Sequence, residues 1–216
     1  MFTGIIEAVG SVESLARRGA DMRLFIDCGD LDVRPGGIGA SIAVSGVCLT
    51  AVEFTQSGFA ADVSTETLRC STLGTFEAGT PVNIERALTL QRQLGGHLVS
   101  GHVDGLGRVV QRSTEGRSEC FTFDLPLALA RYVAVKGSIA IDGVSLTVNR
   151  VEGVSFSVNL VPHTLMATAL DALRCGDSVN VEVDVVARYV ERLLKTTADG
   201  EGVDVALLRE HGFTAP

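Results

Sequence analysis

A thiol, an imidazole and a carboxylate stand at positions where an internal copy of the sequence carries a different kind of side chain. The phrase SIAVSGVCLT (41–50) returns 97 residues later as SIAIDGVSLT (138–147), with seven of ten positions identical. At that offset Cys48 aligns with a serine, His102 aligns with an isoleucine, and Asp184 aligns with an alanine. Such groups can act as nucleophile, base and acid, so the unequal positions predict covalent or acid–base chemistry. A lone strand cysteine is usually a buried apolar side chain, and that alternative stands beside the functional one.

The repeat extends beyond this phrase and divides the chain into two halves. Gly4 meets Gly101, and the VNIE run (82–85) meets VNVE (179–182), at the same offset. Two copies are too few for a solenoid, so each half is expected to bury its own core. The predicted organisation is a first barrel over 1–87, a linker over 88–97, a second barrel over 98–184, and a helix and tail over 185–216.

Within each half the apolar residues alternate with a period of two, which is typical of β-strands. The first half has six such segments, at 3–15, 22–28, 40–45, 47–55, 58–63 and 81–86. Six short strands in so small a unit favour a closed barrel, which has no exposed edges. The predicted fold class is therefore all-β, with two tandem six-stranded Greek-key β-barrels and a C-terminal α-helix.

The sequence also predicts one tight turn and one short helix in each half of the chain. Ser45-Gly46, and Asp142-Gly143 in the copy, predict a tight hairpin turn between the third and fourth strands, because glycine accepts a positive φ without steric cost. One short helix is predicted in each half, at 66–71 and at 163–171.

The segment VVARYVERLLKT (185–196) changes to helical spacing. Its apolar residues fall on one face: Val186, Tyr189, Val190, Leu193 and Leu194. This face can pack on the chain's own barrel or associate with copies of itself, so an oligomer is one of two expectations.

Composition excludes several classes of protein. The formal net charge is −8 and no run of Lys and Arg stands out, so nucleic acids and anionic membrane surfaces are not expected partners. No apolar stretch approaches the roughly 20 residues that a membrane span needs, and the first ten residues lack the basic start of a signal peptide. Five scattered cysteines without a Cys-x-x-Cys pair indicate a reducing compartment. The expected location is the cytoplasm.

Five motifs follow one another in a fixed order and spacing. They are MFTGIIE at the start, SIAVSGVCLT, GGHLVSGHVDG (95–105), KGSIAIDGVSLTV (136–148) and VNVEVD (179–184). Together they resemble the riboflavin synthase family of the alpha-chain type, over about residues 1–195 and including the duplication.

The resemblance implies a reaction and an assembly. Two molecules of 6,7-dimethyl-8-ribityllumazine would exchange a four-carbon unit without a cofactor, giving riboflavin and 5-amino-6-ribitylaminouracil. The implied assembly is a homotrimer in which the first barrel of one subunit faces the second barrel of a neighbour. Association with lumazine synthase stays open.

The resemblance also implies roles for individual residues. Cys48 is expected to add to the ring or to assist proton transfer, and His102 to act as a base or hydrogen-bonding partner. Ser41 is expected to relay a proton or position a water, although its repetition in the copy also fits a structural role. Asp184 is expected to meet Cys48 across a subunit boundary. Phe2 is expected either to reach a neighbouring pocket or to plug its own barrel.

Backbone and small side chains are expected to contact the ring in both halves. The first half contributes Gly4, Ile5, Ile6, Cys48, Leu49, Thr50, Asp62, Val63, Ser64, Thr65, Glu66 and Thr67. The second half contributes Gly101, His102, Val103, Lys136, Ser145, Leu146, Thr147, Val161, Pro162, His163, Thr164, Leu165 and Met166. His97, five residues before His102, is interpreted as linker structure on the opposite strand face. A metal site made by these two histidines is not expected, because no third ligand is evident.

Three other functions compete with this reading. A lumazine or flavin carrier without turnover should have a degraded second pocket and lack part of the Cys48 and His102 pair, which this chain keeps. An FAD-binding barrel of a reductase should show an Arg-x-Tyr-Ser-like motif followed by a nucleotide domain, and the sequence contains neither. A purely structural tandem barrel explains the repeat but not the unequal positions.

Overall fold

Two closed antiparallel β-barrels of six strands each make up most of the computed structural model, which describes residues 1–196. The first barrel contains β1 (Ala8–Arg18), β2 (Asp21–Asp27), β3 (Ser41–Val44), β4 (Val47–Phe54), β5 (Gly58–Val63) and β6 (Pro81–Arg86). The second contains β7 (Gly105–Glu115), β8 (Ser118–Asp124), β9 (Ser138–Ile141), β10 (Val144–Glu152), β11 (Ser155–Leu160) and β12 (Ser178–Val183). The first barrel closes in the order β1-β2-β5-β4-β3-β6, and the second repeats this order. The predicted fold class is confirmed.

The alternating pattern of the sequence decides which side chains fill each barrel. On β4, Val47, Leu49 and Ala51 are buried inside, while Cys48 and Thr50 face outward. The first core includes Phe59 and Leu24, and the second is built around Phe121, Phe123 and Phe156. Burying such side chains contributes about 1.5–3 kcal/mol each, which makes the barrel interior the main source of stability.

The predicted turns between the third and fourth strands of each half are confirmed. Ser45 and Gly46 have φ values of 43° and 81°, and Asp142 and Gly143 have 45° and 80°. Two consecutive positive φ values are what a two-residue hairpin turn requires. The two turns also touch each other, since a Cβ on Gly46 would lie 2.6 Å from the backbone nitrogen of Gly143. The repeated phrase therefore builds the contact between the barrels.

Hydrogen bonds cross this contact in a reciprocal pattern. The side-chain amide of Asn83 donates to the carbonyl of Asp142 at 2.9 Å, and that of Asn180 donates to the carbonyl of Ser45 at 2.8 Å. The Asn180 Oδ1 also accepts from the N–H of Thr72, and the Asn83 Oδ1 accepts from the N–H of Ala169. The two halves thus pair about an approximate two-fold axis.

The helices of the barrels differ from the sequence prediction in three places. The first short helix, α1, spans Thr65–Cys70, one residue earlier than expected, because Ser64 caps it by accepting from the N–H of Thr67 at 3.2 Å. A further helix, α2 (Leu127–Ala130), was not predicted. The segment 163–171 is not one helix: α3 (Pro162–Ala167) ends at Thr168, which has extended backbone angles, and a 3-10 turn follows at Ala169–Ala172.

The first strand of each half begins later than the sequence pattern suggests. Strand β1 starts at Ala8, not at residue 3, and β7 starts only at Gly105. Residues 3–6 and 100–103 are held by side chains of the barrels and carry part of the site described below.

The C-terminal helix α4 spans Val185–Thr196, as predicted. Within it, Lys195 Nζ lies 2.8 Å from Glu191 Oε1, four residues earlier, which supports the helix. No helix within residues 1–196 combines the length and apolar character needed to cross a membrane. The predicted tail lies outside the described residues.

Candidate active site

One cavity brings together two of the predicted catalytic side chains. It has a volume of ≈ 300 Å³, and its walls include Cys48 on β4, Glu66, Thr67 and Cys70 on α1, and residues 101–103. The last of these segments contains His102, whose side chain is exposed. A thiol and an imidazole in one cavity can relay a proton or assist addition to an electron-poor ring.

A backbone contact between the two halves closes this cavity. The carbonyl of Gly101 accepts a hydrogen bond from the N–H of Cys48 at 2.8 Å. Gly101 has a φ of 81°, and a Cβ there would lie 2.7 Å from the Cβ of Cys48 and 2.8 Å from Cε2 of Phe2. Both the left-handed backbone and the close approach therefore require glycine.

A buried carboxylate fixes the segment that carries His102. Glu182 on β12 accepts from the N–H and the hydroxyl of Ser100, at 2.6 and 2.7 Å, and from the N–H of Gly101 at 2.9 Å. Ser100 Oγ in turn accepts from the N–H of His102 at 3.2 Å. Burial raises the pKa of the Glu182 carboxyl, although these hydrogen bonds oppose the effect. The second barrel thus holds His102 over a cavity of the first.

The same arrangement occurs in reverse at the second barrel. Glu85 on β6 accepts from the N–H and hydroxyl of Thr3, both at 2.7 Å, and from the N–H of Gly4 at 3.0 Å. The carbonyl of Gly4 accepts from the N–H of Ser145 at 2.8 Å. Gly4 has a φ of 73°, and a Cβ there would lie 2.6 Å from the Cβ of Ser145. Burial raises the pKa of Glu85, as it does for Glu182.

Two of the segments predicted to contact the ring lie beside the barrel of the other half. Gly4, Ile5 and Ile6 approach Ser145 of the second half, whereas residues 101–103 approach Cys48 of the first. Each barrel site is completed by the segment that precedes the first strand of the other barrel. The glycine and glutamate pairs of the repeat indicated equivalence, but nothing in the sequence indicated the exchange.

The two histidines do not lie on opposite faces of a strand, because both precede β7. His97 Nδ1 lies 2.7 Å from Ser145 Oγ, so this ring belongs to the second barrel's site. Burial lowers the pKa of His97, and the negative charge of Asp184 opposes that shift. Residues 1–196 contain no group of three or more His, Cys, Asp or Glu side chains placed to hold a metal ion.

Comparison with known proteins identifies the family. The family model of the lumazine binding domain matches the chain twice, over residues 3–87 and 100–184. Riboflavin synthase of Photobacterium phosphoreum is 42% identical over 216 residues, which is 99% of each chain. That of Mycobacterium bovis is 46% identical over 200 residues, covering 91% of this chain and 99% of the relative. The chain belongs to the riboflavin synthase family. It is an enzyme, a transferase with riboflavin synthase function.

The fold of this riboflavin synthase family member is similar to that of a solved structure. LumP complexed with riboflavin matches with a TM-score of 0.79 at 23% identity, over 85% of this chain and 99% of that one. LumP therefore shares the overall fold of this chain, although its sequence identity is much lower than that of the riboflavin synthases.

The remaining residues predicted to contact the ring fall into groups by orientation. Thr50 and Thr147 face outward from β4 and β10 and are exposed. Leu49, Val63 and Leu146 point into the barrel cores, so only their backbone groups face outward. In the second half, Val161 precedes α3, and this helix contains Pro162, His163, Thr164, Leu165 and Met166, where the first half has α1.

Three predicted contacts already have partners in the chain. Asp62 forms a two-point ion pair with Arg23, with both N···O distances 2.7 Å. The Thr65 hydroxyl donates to the carbonyl of Ala20 at 2.8 Å. Lys136 has a positive φ of 68° where the first half has Gly39, and its N–H donates to the carbonyl of Val148 at 2.7 Å. Their ligand contacts remain predictions.

Ser41 lies apart from the Cys48 cavity, whereas Phe2 belongs to a buried cluster against which Cys48 packs. Ser41 lines a separate cleft of ≈ 630 Å³ that also includes Met1, Arg86 and Arg92. Phe2 is fully buried and packs with Val99 between the barrels. The ring is thus buried within its own chain, but outside the core of either barrel. Roles in catalysis for both residues remain predictions.

Sequence reasoning missed Glu85, Glu182 and Gly96. The two glutamates could have been found, because the VNIE and VNVE runs repeat a carboxylate at equivalent positions in strands that are otherwise apolar. A buried carboxylate needs hydrogen-bonding partners, which makes such a residue a candidate for holding backbone. Gly96 lies in the motif GGHLVSGHVDG (95–105), but comparison of the two copies could not single it out, because the linker has no copy.

Proposed function

We propose that the enzyme holds one 6,7-dimethyl-8-ribityllumazine at each of its two barrel sites and transfers a four-carbon unit between the two molecules. The products would be riboflavin and 5-amino-6-ribitylaminouracil, with no cofactor. The observation that carries this proposal is the pair of equivalent sites with unequal chemistry, a thiol near His102 at one and a hydroxyl near His97 at the other.

The chemistry asks mainly for positioning of the two rings. Loss of a proton from the 7-methyl group gives a carbanion that the ring delocalises, and a nucleophile adds at C7 of the partner molecule. Holding two reactants in register can lower a barrier by about 7–11 kcal/mol. General acid–base help can add about 10²–10⁴ in rate. We assign that help to His102 as base or hydrogen-bonding partner, to Cys48 as nucleophile or proton relay, and to Ser41 and Asp184 as supporting groups.

The amphipathic helix supports a proposal on assembly. Its apolar residues fall at helical spacing on one face of α4, which suits self-association. We therefore assign the helix of the C-terminal segment 185–216 to oligomerisation, residues 1–87 and 98–184 to the two lumazine-binding barrels, and the enzyme to a cytoplasmic homotrimer. The solution mass of the full chain tests the trimer, and co-sedimentation with purified lumazine synthase tests that association.

Turnover of the purified chain tests the proposed reaction. The chain is incubated without a cofactor with 6,7-dimethyl-8-ribityllumazine, and both lumazine loss and riboflavin gain are followed. We expect two lumazines to be consumed for each riboflavin formed. Tight binding without turnover would identify a carrier, and absence of binding would contradict the proposal.

The Cys48→Ser substitution copies the second half's residue into the first site. We expect kcat to fall by about 10²-fold while the Kd for lumazine changes little, because the thiol takes part in proton transfer or addition and the smaller hydroxyl still fits. Rapid-mixing kinetics and a fluorescence titration measure the two quantities. Cys70→Ser, which changes a second thiol in the same cavity, should leave kcat unchanged. Wild-type kcat in Cys48→Ser would exclude a catalytic thiol.

A further inference from the structure

The end of the linker between the barrels, Gly96 and His97, packs tightly against Thr3 and Ser145 at the second site. His97 donates its backbone N–H to the carbonyl of Thr3 at 3.2 Å. At the preceding Gly96, a Cβ would lie 2.2 Å from the oxygen of Thr3 and 2.7 Å from the Cβ of Ser145. Only glycine permits this approach, since real Cβ atoms do not come so close to other atoms. The His97 ring is thereby placed against Ser145 by its backbone.

The contact that results is short and specific. His97 Nδ1 lies 2.7 Å from Ser145 Oγ. A hydroxyl has one donor and two acceptor positions, and a neutral imidazole has one of each. One hydrogen bond to the ring therefore engages the serine proton when Nδ1 accepts, or one oxygen lone pair when Nδ1–H donates, and leaves the other positions of the oxygen available.

The first barrel has no equivalent of this imidazole. His97 lies in the linker, outside both segments that match the lumazine binding domain, 3–87 and 100–184. At the position equivalent to Ser145 the first half has Cys48, with its N–H bonded to Gly101. The linker thus makes the two sites unequal in a way that the duplication alone could not.

We propose that His97 is a positioning residue of the second site, holding the Ser145 hydroxyl in one orientation so that its remaining hydrogen-bonding capacity faces the bound ring. This inference rests on the proposed function, since it assigns a lumazine to that site. It gives a direct part in substrate recognition to His97, which the sequence alone indicated only as linker structure.

A mutant cycle between the two side chains tests the proposal. His97→Leu removes the hydrogen bond and should lower kcat/KM by about tenfold, the effect of losing roughly 1.4 kcal/mol. His97→Asn keeps a polar atom near the position of Nδ1 and should stay within about threefold of wild type. In a Ser145→Ala background, His97→Leu should cause no further loss, because its effect passes through the serine.

A replacement variant and a second measurement make the test independent of the folding of one variant and of turnover. If His97→Leu does not fold, His97→Gln replaces it, because its polar group extends one bond beyond Nδ1 and should lose activity while Asn does not. The same cycle is read in the Kd for 6,7-dimethyl-8-ribityllumazine, which needs no turnover. A wild-type chain that binds lumazine without converting it would overturn the proposed reaction, and the cycle in Kd would still decide the role of His97.

The proposal is overturned by any of three results. These are wild-type activity and Kd in His97→Leu, equal losses in the Asn and Gln variants, or an undiminished effect of His97→Leu in the Ser145→Ala background.

Discussion

Replacing Gly101 with alanine should lower kcat/KM for riboflavin formation by about 100-fold, because a displacement of about 1 Å at a reacting group has that effect. The new Cβ would lie 2.7 Å from the Cβ of Cys48, so the segment bearing His102 must move away from the cavity. The hydrogen bond between the Gly101 carbonyl and the Cys48 N–H, 2.8 Å long, would be lost with that movement. Steady-state kinetics with 6,7-dimethyl-8-ribityllumazine measure the effect.

A control variant at Gly116 distinguishes the effect of backbone strain from the effect of the steric clash at Gly101. Gly116 also has a positive φ, of 64°, but a Cβ there meets nothing within 4 Å. Both alanine variants should lose about 1 kcal/mol of stability from the left-handed backbone, yet Gly116→Ala should keep wild-type kcat/KM. Equal kinetics in the two variants would contradict the role assigned to the segment 100–103.

Replacing Asp142 with asparagine should stabilise the protein at pH 8 by about 2–4 kcal/mol and leave its stability at pH 4 nearly unchanged. Asp142 occupies the hairpin tip where the two barrels meet, and its Oδ1 accepts from the N–H of Asn180 at 2.8 Å. Burial raises the pKa of the Asp142 carboxyl from 3.8 to about 7, although that hydrogen bond opposes the shift. Asparagine keeps the acceptor oxygen and tolerates the positive φ of this position.

The direction of the pH dependence is set by whether the folded or the unfolded protein binds the Asp142 proton more tightly. Because the folded protein favours the protonated carboxyl, the contribution of Asp142 to stability is greatest below about pH 4 and is lost as the pH rises to 7. The difference between variant and wild type in free energy of unfolding, from urea titrations between pH 4 and 8, should therefore grow across that window. Ser45→Asp, which places a carboxylate at the equivalent tip, should show the opposite trend. A difference independent of pH would contradict the burial argument.

The repeat made much of the fold predictable. The period of two in both halves predicted the barrels, and Ser45-Gly46 with Asp142-Gly143 predicted the hairpins, because these features depend on local sequence. The boundaries of the first strands were less predictable. Apolar residues such as Ile5 and Ile6 continue the strand pattern, but buried glutamates hold the backbone of these segments before the strand begins.

The site could be predicted in residue type but not in arrangement. Comparison of the copies identified Cys48 and His102 as unequal positions, and the structure brings them to one cavity. The exchange of residues 3–6 and 100–103 between barrels depends on contacts separated by some 80 residues, such as Thr3 with Glu85. The partnership of His97 with Ser145 depends on a linker that the repeat does not contain. A sequence pattern reports spacing along the chain, and these features are set by packing between halves.

The most direct test of this account is a crystal structure of the enzyme with 6,7-dimethyl-8-ribityllumazine bound. The account predicts one ring against Cys48 and His102, and a second against Ser145 and Ile5, with residues from both halves at each ring. Lumazine bound only in the separate cleft beside Ser41 and Arg86, or one ring contacted by residues of a single half, would contradict it.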